Sequence, residues 1–246
     1  MTKFKLTDET VVSQEGTTLF RVELLEDCIH GKTGDKGGFV KKFESIQDDA
    51  WVYDNAQVSG DARVYDNAQV SGDARVYDNA IVSGDARVYG DAQVYGDARV
   101  YGAARVYDNA RVYGDAHVYG AAHVYGAARV YGDAEVYGNA LVYGAAQVSG
   151  NAKVYGSAWV HGNAQVSGNA KVSGSAWEQS PLQIQGTAHF FNVCKKGYIQ
   201  IGCKSFSFEY WKENFETIGY HKGYTKKQIA EYGLFIDLAI KLYELA

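Results

Sequence analysis

The chain has 246 residues, a formal net charge of −5 and a sequence pI near 5.7. That length allows one or two domains with a sizeable core, and the acidic balance argues against a nucleic-acid partner. A single proline, Pro181, and polar repeats exclude a long disordered linker and a membrane span.

The first residues, Met1-Thr2-Lys3-Phe4-Lys5, lack the apolar run of a secretion signal. Cys28, Cys194 and Cys203 are an odd, scattered set that reads as reduced thiols. Both features lead us to expect a cytoplasmic protein. Residues 3–7 and 18–25 read as two short strands around a loop containing Gly16. Residues 26–38 form a Gly-rich charged loop without Walker spacing, so a turn is expected there rather than a phosphate cradle. We take 1–39 as a small N-terminal β cap.

From Trp51 to Trp177 the chain repeats one six-residue phrase, Ala-x-Val-(Tyr/Ser)-(Gly/Asp)-(Asp/Asn/Ala/Ser), with no insertion. Every sixth residue from Val52 to Val172 is valine, and every sixth from Ala56 to Ala176 is alanine, twenty-one of each. A fixed period of this kind is the sequence mark of a stacked repeat. Within the phrase, Ala and Val alternate with polar residues and so share one face of a strand. The next two residues are turn formers, and they predict a positive φ at a first-position Gly or at a second-position Asn. A two-residue hairpin meander would need about twenty strands, and open sheets rarely exceed about ten. Its turns would also want positive φ at Ala103, Ala121, Ala127 and Ala145, which those residues resist. A solenoid is therefore expected, with three hexads per eighteen-residue coil and Val and Ala inside. Twenty-one hexads make seven such coils, about 34 Å long at the usual strand spacing. Val40 and Ile46 continue the register backwards, so the solenoid should begin near residue 40.

Beyond Val172 the register degrades. Glu178, Ile184 and Phe190 fall on valine positions and Leu182 and Ala188 on alanine positions, which predicts a last irregular coil ending near 192. Residues 197–203 alternate as a strand. Ser207 can cap a helix carrying Phe208, Trp211, Phe215 and Ile218 on one stripe. Thr225-Lys226-Lys227-Gln228 is a capping box opening a second helix to about Leu245. That helix places Ile229, Tyr232, Ile236, Ile240 and Tyr243 on one stripe and Phe235, Leu238, Leu242 and Leu245 on the next. The organisation expected is a cap over 1–39, a repeat domain over 40–192 and a C-terminal strand and helical segment over 193–246. Their formal charges are −2, −5 and +2.

The phrase Val-x-Gly-Asp-Ala-x resembles the hexapeptide repeat of left-handed parallel β-helix proteins, a family that includes many acyltransferases and the γ-class carbonic anhydrases. The resemblance implies an all-β solenoid, a left-handed triangular parallel β-helix of about 7–9 coils. The flanks resemble those of hexapeptide-repeat proteins encoded by phages and prophages. The segments concerned are Gly34-Asp35-Lys36-Gly37-Gly38-Phe39-Val40 leading to Asp49-Ala50-Trp51-Val52-Tyr53, then Ile201-Gly202-Cys203 and Glu209-Tyr210-Trp211. That resemblance implies a phage-derived protein working in the host cytoplasm.

The variable x position should point outward, with every third hexad on the same face. One column reads Trp51, Gln69, Arg87, Arg105, His123, Leu141, Trp159, Trp177; a second reads Gln57, Arg75, Gln93, Arg111, Arg129, Gln147, Gln165. The third reads Arg63, Ile81, Arg99, His117, Glu135, Lys153, Lys171. Arg75, Arg111 and Arg129, with Arg87 and Arg105, are the candidate binding residues for a host protein or a small anionic ligand. Leu141, Trp159, Trp177, Trp211, Ile236 and Ile240 are candidates for a cap or homo-oligomer interface, in a dimer or trimer. Acyltransferases of the resembled family generally use a histidine, often with a loop projecting from the coils and a cleft between subunits. Here no loop is inserted, and His117 and His123 fall on different faces. The expected function is a non-catalytic binding or assembly module with no cofactor and no metal, and in its sharpest form a counter-defence protein. The alternative is an acyltransferase using acetyl-CoA with His117 or His123.

Overall fold

The computed structural model describes residues 3–174 and 176–244; Leu245, the end of the second apolar stripe, lies outside them. The repeat winds as a solenoid of three parallel faces. The Trp51 column heads an eight-stranded sheet, the Gln57 column lies in a ten-stranded sheet and the Arg63 column in a seven-stranded one. We call these faces one, two and three. From Trp51 to Lys153 each repeat strand pairs in register with the strand eighteen residues on, as Gln93 with Arg111 and Val94 with Val112. Phe39 pairs with Gln57, Val40 with Val58 and Ile46 with Val64. From Val40 to Trp177 the chain completes about eight coils.

The alternation within the hexad decides what lies inside. Every repeat valine from Val52 to Val172 is buried, as are the alanines between them, while the x residues after Trp51 are half-buried or exposed. Small interior side chains let three faces close on a narrow axis at the density of a protein core.

The corners correct one expectation. Positive φ sits at the first turn position throughout, and where no glycine stands there it falls on aspartate rather than on the following asparagine. Asp54, Asp66, Asp78 and Asp108 have φ between 53° and 60°. The reason is a local hydrogen bond. Each carboxylate accepts the backbone N–H of the corner glycine one coil on, Gly72 to Asp54 at 3.0 Å, Gly84 to Asp66 at 2.9 Å, Gly96 to Asp78 at 3.1 Å and Gly126 to Asp108 at 3.2 Å. That bond offsets the strain of a left-handed non-glycine residue.

The N-terminal strands β1 (Phe4–Val12), β2 (Thr18–Leu24) and β3 (Lys36–Val40) pair antiparallel, and β3 then lies parallel on Gln57–Val58. The hairpin thus extends face two. Gly38 permits this join, because a Cβ there would stand 2.5 Å from Ala56 O. The same cap covers Trp51, which heads an outward column yet is 3% exposed, stacked on His30 and edge-on to Phe4.

The other end departs from the expected irregular coil. The strand Ala176–Trp177 slips by one residue, pairing Trp159 with Ala176 and Val160 with Trp177. Trp177, not Glu178, therefore takes the valine position and packs against the solenoid core. Residues expected in the last coil instead enter an antiparallel sheet as β4 (Gln183–Gln185) and β5 (Phe190–Lys195), which β6 (Tyr198–Ile201) and β7 (Lys204–Ser207) complete. Side chains complete the last coil's backbone bonding. Gln183 donates to Gln165 O and accepts from Ser167 N, both at 2.9 Å. Asn192 donates to Lys171 O at 2.8 Å and accepts from Lys171 N at 3.4 Å. Each amide imitates the peptide group that a further strand would have offered.

Helices α1 (Phe208–His221) and α2 (Lys226–Glu244) pack on this sheet. Ser207 caps α1 by accepting from Tyr210 N, and Thr225 with Gln228 forms the expected capping box. Phe191, Ile199, Trp211, Tyr232 and Ile236 make a second core, separate from the aliphatic axis of the coils.

Candidate functional site

On faces one and two the x residues stand in straight rows, one coil apart. Arg87 pairs with Arg105 on face one, and Arg111 with Arg129 on face two, with Gln93 joining Arg75 to Arg111. Adjacent guanidinium stems leave the backbone about 4.8 Å apart, the strand spacing. Neither column contains a carboxylate; the one acidic x residue, Glu135, is on face three. There Glu135 accepts from Lys153 at 2.6 Å and from Tyr119 at 2.9 Å, so its charge is matched internally. Lys153 with hydrogen-bonded Glu135 is the sole ion pair among the x residues. Among the described residues none of Arg75, Arg87, Arg105, Arg111 and Arg129 lies within 4.0 Å of a carboxylate.

Two shallow grooves follow from this placement. One, about 210 Å³, is lined by Gln69, Ser71, Arg87, Tyr89 and Arg105. The other, about 340 Å³, is lined by Arg75, Gln93 and Arg111 with Asp73, Asp91 and Asn109 on its corner. The face-one groove offers two guanidinium groups, an amide and two hydroxyls and no carboxylate. That is a donor set for an anion.

The Tyr/Ser position builds three corner ladders. Tyr77, Tyr95, Tyr113 and Tyr131 stack with centroids 4.7–5.0 Å apart and planes within 3°. Tyr89, Tyr107, Tyr125 and Tyr143 stack likewise and end on His161, and Tyr101, Tyr119, Tyr137 and Tyr155 make the third ladder. Burial against neighbouring rings, and then the neighbours' own ionisation, pushes Tyr77 and Tyr107 up to about 12. An unfolded tyrosine ionises near 10. The folded chain therefore holds these protons more firmly than the unfolded one. Stability from the ladders is complete below about pH 10 and is lost as pH rises towards 12. Ultraviolet titration should show ladder tyrosines ionising late, in step with loss of β structure by circular dichroism. Ionisation of all tyrosines near pH 10 in the intact fold would contradict the stacking.

His117 lies on face three between Arg99 and Glu135, and His123 on face one between Arg105 and Leu141, so the chain does not bring them together. Burial and then Arg105 lower the His123 pKa. His189 shares no column with His117; it belongs to the C-terminal unit. Among the described residues no three His, Cys, Asp or Glu side chains gather as metal ligands. Leu141 and Trp159 are neighbours on face one, and Trp159 is 49% exposed. Trp177 does not extend that strip, because of the one-residue slip. Trp211, Ile236 and Ile240 pack in or against the second core, with Trp211 Nε1 donating to Ile199 O at 2.9 Å.

Sequence reasoning passed over Gln183 and Asn192. Their only signal was polar residues where the repeat lapses, and the fold alone shows which backbone groups they meet.

A family model for the YdcK beta solenoid repeat matches residues 56–72, 68–84, 92–107, 104–120, 146–162 and 164–179. These segments lie in the stacked coils, the last of them running two residues past Trp177. A search of curated proteins finds no match. The repeating sequence, the in-register parallel faces and the matched repeats agree: the chain is a parallel β-helix repeat protein.

Proposed function

We propose that the solenoid is a non-catalytic binding module whose arginine rows on faces one and two hold an anionic partner. The observation that carries this reading is a set of five arginines in two in-register rows, Arg87 beside Arg105 and Arg111 beside Arg129 with Arg75 two coils before Arg111, with no carboxylate within ion-pair distance among the described residues. Like charges on adjacent strands oppose one another, and an anion lying across them relieves that cost. Parallel coils without projecting loops keep the rows in place, so little ordering is required on binding. The partner is an acidic protein surface or a small phosphate- or carboxylate-bearing ligand. The resemblance of the flanks to phage-encoded proteins supports a host-cell setting and a counter-defence role. The exposed Trp159 and neighbouring Leu141 support self-association along face one.

Calorimetric titration with inorganic tripolyphosphate at low salt tests the reading. The wild-type chain should bind it, and binding should weaken as salt rises. Arg87→Ala with Arg105→Ala should reduce affinity at least tenfold, and adding Arg75→Ala, Arg111→Ala and Arg129→Ala should abolish it. Unchanged binding in the fivefold variant would overturn the proposal. Acetyl-CoA binding that depends on His117 or His123 would instead favour the acyltransferase alternative.

A further inference from the structure

The C-terminal unit carries a partly open pocket of about 170 Å³ between α1, α2, the turn joining them and the β6–β7 hairpin. Ile201, Trp211, Phe215, Ile218 and Ile229 form its apolar wall. A closed void of about 150 Å³ lined by such side chains accepts a benzene ring. This one has the volume for a single ring. Gly219 keeps it narrow by letting the helices close: a Cβ there would stand 2.8 Å from Ile229 Cγ1.

The polar groups gather at one side. The His189 ring is stacked on Tyr224, and its Nδ1 lies 2.6 Å from the Tyr224 hydroxyl. Gly202 leaves room for that ring, since a Cβ would come within 2.6 Å of His189 Cδ2. When Tyr224 donates to Nδ1, the neutral imidazole carries its proton on Nε2. That N–H has no hydrogen-bond acceptor among the described residues. Lys204 and Lys222 also line the cavity, both exposed and neither ion-paired among the described residues.

An apolar slot for one ring, with the His189 imidazole and two ammonium groups beside it that pair with no carboxylate among the described residues, points to its occupant. We propose that this cavity binds a small aromatic carboxylate of benzoate size. The ring lies between Trp211, Phe215 and Ile229. The carboxylate accepts from His189 Nε2 and faces Lys204 and Lys222. The site is independent of the arginine rows, so either can fail without the other.

The test uses the full chain and two probes, benzoate and benzene, followed by tryptophan fluorescence and thermal unfolding. Benzoate should bind saturably, raise Tm and bind at least tenfold more tightly than benzene. Lys204→Glu with Lys222→Glu changes only exposed side chains; it should lower benzoate affinity at least tenfold and leave benzene binding as it was. Ile218→Trp should fill the cavity and remove both. No saturable benzoate binding, equal affinity for benzoate and benzene, or an indifferent lysine double variant would each overturn the proposal.

Discussion

Replacing Gly96 by alanine is expected to destabilise the solenoid by about 2–3 kcal/mol, and replacing it by aspartate by about 1 kcal/mol or less. Gly96 has φ +72°, and a Cβ there would stand 3.0 Å from Gly114 N and 3.2 Å from Gly114 O. Alanine meets both the left-handed backbone and that contact and receives nothing in return. Aspartate meets the same contact but can accept the Gly114 N–H, as Asp78 already accepts that of Gly96. Aspartates on successive coils have a precedent in Asp48 and Asp66, where Asp66 N donates to Asp48 at 3.3 Å. The position of the coil matters too. Gly156 has φ +64°, with nothing within 4 Å of its Cβ site. Gly156→Ala should therefore cost only the conformational part, about 1 kcal/mol. Urea unfolding of the three variants measures the order; aspartate proving as costly as alanine at 96 would refute the corner hydrogen bond.

The second large effect is expected at the end of the stack. Asn192 is 1% exposed and spans both backbone groups of Lys171. Asn192→Asp keeps the shape, removes the N–H that Lys171 O accepts and buries a charge against a carbonyl. A cost of about 3 kcal/mol is expected. The loss should be local before it is global. Hydrogen exchange should accelerate first at Lys171 and its neighbours, while the middle coils stay protected, because each coil contacts only the next. A strand edge left without partners is also a template for another chain, so light scattering should detect increased association. A variant that unfolds as one unit at the wild-type midpoint would show that the amide does not cap the stack.

The repeat region was legible because its period is short, unbroken and chemically simple. Valine every sixth residue and the alternation around it have one compact solution. The same period puts Arg75, Gln93, Arg111 and Arg129 in one row, as the in-register pairs do. The turn residue was misjudged because Asn and Asp tolerate positive φ alike in isolation. What chooses Asp is a hydrogen bond to a glycine eighteen residues away, visible only once the coils are stacked. The C-terminal end was harder for a related reason. Leu182, Ile184, Ala188 and Phe190 fit the hexad by composition, yet β4 and β5 pair antiparallel. A one-residue slip at Ala176–Trp177 breaks the register and costs nothing in hydropathy. The helices were readable from their caps and stripes, because those signals are local. The C-terminal cavity was not, because His189 and Tyr224 are joined only by tertiary packing.

All of this depends on three hexads closing one coil. Nitroxide labels at Gln57 and Gln165 test it most directly by pulsed electron resonance. The two positions are linked on face two by successive in-register pairs through Arg75, Gln93, Arg111, Arg129 and Gln147. They are 108 residues apart, six coils of eighteen, which predicts a backbone separation of about 29 Å at the usual strand spacing. A distance near 43 Å, as for two hexads per coil, or near 86 Å, as for a meander of hexad strands, would contradict it.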